Sequence, residues 1–178
     1  MKTNLQNDFS GSPASFSLPR YAQIPDVGLY LEQVVRYVNT CLSPLGEPEL
    51  TASMVSNYVK KKLLPAPQKK LYTADHLARL LFIAVVKPVT SLDQLQLMFR
   101  IQADNASIPA VYDYFCDAFE QALSGTSGAL TAYPTEIRSD AQDLLHNTIG
   151  AIVSKIRLDR YLETYRQQHA VPPAGAES

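Results

Sequence analysis

Leu31, Val34, Val35, Val38 and Leu42 stand at i, i+3, i+4, i+7 and i+11, and stripes of this kind recur down the chain. Only an α-helix gathers residues at that spacing onto one face. The next stripe is Val55, Tyr58 and Val59, with Met54 beside them. Others are Leu77, Leu80, Leu81, Ala84 and Val85, then Leu92, Leu95 and Phe99. Tyr112, Phe115, Cys116, Phe119 and Leu123 follow, and last Leu145, Ile149, Ile152 and Ile156 within a long pattern from Glu136 to about Gln168. Helix breakers separate them: Pro44, Gly46 and Pro48; Pro65 and Pro67, which stop the second helix; Pro88; and Ser124-Gly125 with the loop SGTSGALTAYP. Asp26, Thr51 and Thr73 are the N-cap candidates, Asp75 suits a helix dipole, and Ser91 with Gln94 has capping-box spacing. Glycine is sparse, which argues against a barrel or sandwich built on tight turns. The fold class that follows is all-α, with at most a two-stranded wing near residues 64–72.

Residues 1–17 and the end VPPAGAES, residues 171–178, are polar or proline-rich and read as disordered tails. LPRYAQIPD reads as an extended lead-in bounded by prolines. The division expected between the tails is a first helical domain over 18–100 and a C-terminal helical region over 101–170, which covers the core, dimerises, or both. Cys41 and Cys116 lie on apolar faces and read as reduced thiols. His76, His146 and His169 stand in no ligand spacing, so no metal is expected. No phosphate loop, nucleophile elbow, dinucleotide fingerprint or carboxylate pair is seen, so neither enzyme chemistry nor a cofactor is expected. Asp113 and Asp117, at i and i+4, read as a solvated helix flank. With no apolar leader or membrane-length run, the expected location is the cytoplasm.

Charge narrows the reading. Lys60, Lys61, Lys62, Lys69 and Lys70 put +5 into residues 50–72, which contain no acid, so the remainder of a chain at −1 carries −6. A positive patch on an acidic body suits an anionic partner and orients it. The helix from Thr51 turns Ser53, Ser56, Asn57 and Lys60 away from its apolar side. Asparagine and serine can reach base edges in a major groove, and lysines can hold the flanking phosphates.

The stretch TASMVSNYVKKKLLPAPQKKLYTADHLARLLFI resembles the DNA-binding region of MerR-type regulators. The matching places are Tyr58, Leu63, Leu64, Pro65, Tyr72, Asp75, Leu77, Leu80, Phe82 and Ile83. LPRYAQIPDVGLYLEQVVRYV, MVSNYVKKKLLPAPQKKLYTADHLA and YDYFCDAF are similar to the bacterial family called domain of unknown function 1836, over roughly residues 18–120. The resemblance implies a MerR-like winged helix-turn-helix with a truncated wing, followed by C-terminal helices. It implies a DNA-binding transcriptional regulator. The site residues are Ser53, Ser56, Asn57, Lys60 and Lys61 on the helix, Lys69 and Lys70 in the wing, and Tyr72 as an anchor whose hydroxyl reaches a phosphate. The implied partners are double-stranded DNA, a second copy of the chain in a homodimer, and a small-molecule effector. A non-enzymatic adaptor using the same lysines on an acidic protein is the alternative. Three departures from the MerR pattern matter. Lys62 replaces a glycine in the left-handed position that ends the recognition helix, which predicts a different ending. The wing lacks its Gly-Tyr-Arg segment. The loop Ser43–Leu50 carries Glu47 and Glu49, which would have to point away from DNA.

Overall fold

The structure, a computed structural model, describes residues 16–46, 49–103, 106–125 and 140–169. Residues 1–15, the C-terminal tail, Glu47 and most of the SGTSGALTAYP loop lie outside those residues. Phe16 and Ser17, expected in the disordered N-terminal tail, are described, and Phe16 is buried with its ring edge-on to Phe119. Each apolar stripe folds as a helix: α1 (Leu31–Leu42), α2 (Ala52–Lys60), α3 (Ala74–Val86), α4 (Leu92–Ala103), α5 (Ile108–Ser124) and α6 (Asp140–Gln168). Among the described residues no strand forms, and no helix is long and apolar enough to cross a membrane.

The caps follow local chemistry, with one exception. Thr51 accepts a hydrogen bond from the Met54 amide at 3.2 Å. Ser91 and Gln94 exchange bonds of 2.8 and 3.2 Å, the reciprocal box their spacing predicts. Asp26 does not cap α1. The helix begins after Tyr30, whose amide donates to Gln33 Oε1 at 2.9 Å, so an N3 glutamine takes the capping task. Pro88 sits in a short 3-10 turn, Lys87–Val89, that ends α3.

α3 is the central post. Leu77, Leu80, Leu81 and Ile83 have no exposed surface, and truncating one such leucine to alanine costs about 2–5 kcal/mol. One continuous core runs from Phe16 to Val153 across the boundary expected near residue 100, so the two halves share their interior. α5 packs on both α3 and α6. The C-terminal helices therefore cover the core within one chain as far as Ile156. Beyond it Leu158, Tyr161, Leu162 and Tyr165 are exposed, where the α6 stripe changes phase.

The lead-in to α1 is clasped by α5. Arg20 donates to both oxygens of Glu120 at 2.8 Å, to Asp117 at 2.7 Å and to the Leu18 carbonyl at 2.9 Å. The Tyr21 amide donates to Asp113 at 2.7 Å, and the Tyr21 hydroxyl to Asp75 on α3 at 2.6 Å. Asp113 and Asp117 are thus not a solvated flank. They hold LPRYAQIPD against YDYFCDAF. The Glu120 hydrogen bond keeps the Arg20 guanidinium well above its ordinary value, and burial pushes the Tyr21 hydroxyl up to about 12.

Candidate nucleic-acid interface

α2 is short because its ends are chemically fixed. Val55 and Tyr58 bury one side, while Ser53, Ser56, Asn57 and Lys60 face solvent together. The Ser56 hydroxyl donates to the Ala52 carbonyl at 2.9 Å, which leaves its lone pairs to accept. The helix stops before the prolines. Lys62 takes the left-handed conformation at φ 59°, its amide donates to the Val59 carbonyl, and the Leu63 amide to the Tyr58 carbonyl. This is a Schellman ending, with Leu63 buried as its hydrophobic plug. The expectation that lysine would alter the ending is therefore corrected: the chain keeps the glycine geometry and accepts the strain.

The segment after α2 is smaller than a two-stranded wing. Gln68 and Leu71 close a tight turn through a 2.8 Å backbone bond, with Lys69 at φ 50° and Lys70 at φ 66° in its two central positions. Positive φ at both marks the turn family that prefers Asn-Gly. A side chain in the left-handed region costs roughly 1–2 kcal/mol. Among the described residues, the non-glycine residues with positive φ are these three lysines.

The turn is pinned from behind. Leu29 and Tyr72 exchange backbone bonds of 3.0 and 2.9 Å, a single bridge that ties the lead-in to α1 to the exit of the turn. Gly28 permits the approach, since a Cβ there would lie 2.9 Å from Leu71 Cβ. Tyr72 is only 5% exposed and stands edge-on to the His76 ring at 5.4 Å. It joins the site as the anchor, and burial raises its hydroxyl above the ordinary value. His76 does what a glutamate usually does at the third position of a helix. Its Nδ1 accepts from the Thr73 amide at 3.0 Å, and its Nε2 faces the Pro65 carbonyl at 3.2 Å. Both contacts suit a neutral ring protonated on Nε2, and burial lowers the pKa of the group accordingly. Finally, Gln96 of α4 donates to the Lys61 carbonyl at 2.5 Å, which ties the end of α2 to the body.

Lys60, Lys61, Lys62, Lys69 and Lys70 are all exposed. Among the described residues none of their side chains takes part in an ion pair. Sequence spacing found the face of α2 and the lysines. It did not find Gly28, Leu29, His76 or Gln96, the residues that hold the face in place. The only signal for them was a glycine in the lead-in and a histidine three residues after a threonine cap.

A family model described as Domain of unknown function (DUF1836) matches residues 19–115. That span takes in the lead-in, the basic turn and the first half of α5. No curated protein and no solved structure matches the chain.

Proposed function

The chain belongs to the family of domain of unknown function 1836, and from that footing we propose that it is a DNA-binding transcriptional regulator of MerR-like form. One observation carries the reading: five solvent-facing lysines in no ion pair among the described residues, three of them on strained backbone, gathered between Lys60 and Lys70 of an otherwise acidic chain. Strain of this kind persists where the surrounding structure over-determines it, and it concentrates at functional positions. In the proposed complex Asn57 reads an adenine edge from the free face of α2, with Ser53 and Ser56 beside it. Lys60, Lys61, Lys69 and Lys70 hold phosphates, and Tyr72 anchors the turn that presents two of them. The protein acts as a homodimer on a two-fold site. The exposed stripe Leu158, Tyr161, Leu162 and Tyr165 is the part of α6 left over for pairing.

Selection of bound duplexes from a random pool tests this. The expected result is an enriched motif with two-fold symmetry. Log affinity should fall with log salt by about 0.9 per phosphate neutralised. Asn57→Ala should relax preference at one base position, and Lys69→Ala should weaken all sequences evenly. Absence of enrichment, with no duplex binding even at low salt, would sink the reading in favour of the acidic-protein adaptor, which the compact turn also fits.

A further inference from the structure

One turn along α3 from Asp75, a cavity of about 280 Å³ opens between α3, α4, α5 and α6. Phe82, Met98, Phe99, Val111 and Phe115 give it apolar walls, and Arg79 of α3 enters the same lining. The volume is at the lower end of the range of small-ligand sites, roughly 300 Å³ and above.

Arg79 is the unusual member. Its guanidinium lies over the Phe99 ring, 4.9 Å from the centroid, and its buried Nε has no hydrogen-bond partner among the described residues. Asp75 precedes it by one turn, but that carboxylate accepts the Tyr21 hydroxyl, and Arg79 is in no ion pair among the described residues. Burial disfavours its charge. A buried N–H without an acceptor is a cost that almost every native group avoids. A second donor set points the same way. Ser107 and Ile108, at the start of α5, also line the cavity. Ser107 makes no side-chain capping bond and Pro109 has no N–H, so among the described residues the Ile108 and Ala110 amides at the start of this 17-residue helix stay without a side-chain acceptor.

We propose that this cavity binds a small apolar monocarboxylate, with the carboxylate on Arg79 and the first turn of α5 and the hydrocarbon body among the phenylalanines. One guanidinium with helix amides balances a single negative charge, and the walls offer little to a more polar ligand. The site stands whether or not α2 binds DNA, because its test uses no DNA.

The test is calorimetric titration of the full chain with 3-phenylpropionate and octanoate, each against its amide. The expected result is saturable binding of an acid with a dissociation constant of about 0.1–1 mM, in keeping with the efficiency of ligands of this size. The matching amide should bind at least about tenfold more weakly, as the loss of a charged hydrogen bond predicts. Arg79→Met and Arg79→Gln, checked for helical content, should bind acid and amide alike. If one of them misfolds, the other decides. The proposal is overturned by no saturable binding of either acid, by equal affinity for acid and amide in the unmodified chain, or by an acid preference that survives loss of Arg79.

Discussion

The lead-in clasp and the basic turn are both charged, and they treat charge in opposite ways. At the clasp both terminal nitrogens of Arg20 meet carboxylates or a carbonyl of the same chain. At the turn two lysines occupy backbone that resists them, and neither forms an ion pair among the described residues. Charge at the clasp holds the fold together. Charge at the turn adds nothing to the fold and costs some of its stability. Substitutions should separate the two regions cleanly, and each of the following tests strains that separation at a different point.

The largest effect belongs to Arg20→Ala. Glu120 keeps only 18% of its side chain exposed and would lose its bidentate partner. Urea unfolding should show a loss of about 2–3 kcal/mol, the scale of charge-assisted bonds and less than for a fully buried pair. An unchanged midpoint would mean that the clasp is as dispensable as a surface ion pair. Gly28→Ala comes next. Its new Cβ would press on Leu71 at 2.9 Å, and the turn must shift or the bridge to Tyr72 must break. A loss of about 1–2 kcal/mol is expected, with duplex affinity falling as well, since the turn carries Lys69 and Lys70.

Lys62→Gly should move stability in the other direction. Relief of a left-handed side chain is worth about 1 kcal/mol, which raises the melting temperature by roughly 2–4 °C in a chain of this size. If the mutant is both less stable and equally good at binding, the contrast between the two regions fails. The smallest effect concerns pH. The pKa of His76 is lowered in the folded state, so folding favours its neutral ring. That contribution is complete above the ordinary value of 6.5 and is lost as pH falls below it toward the folded value. The unfolding midpoint should therefore decline below about pH 6.5, by less in His76→Gln, which can still accept from Thr73. Parallel curves for the two proteins would remove His76 as the cause.

The helices were legible because their signals are local. A stripe, a cap and a breaker each lie within a few residues, as at Thr51 and Ser91. The exposed face of α2 was legible for the same reason. What the sequence hid was long-range pairing. Asp113 and Asp117 look like any acidic flank until Tyr21 and Arg20, more than ninety residues earlier, are brought to them. Asp26 has the chemistry of a cap but stands too early, and glutamine at position 33 does the work instead. Pro65 and Pro67 look like the stop of the second helix, but the chain turns earlier, at the left-handed Lys62. The Arg79 cavity needs four helices to assemble and left no mark in any one of them.

The left-handed lysines also bear on how the chain can change over generations. Either lysine codon lies one nucleotide from an asparagine codon, and asparagine sits more easily at positive φ. Drift alone would carry positions 62, 69 and 70 toward asparagine, gaining stability with each step. Under the proposed function, selection for positive charge opposes that drift. Related chains that keep the function should hold lysine or arginine at these positions, and chains released from it should show asparagine or glycine there first.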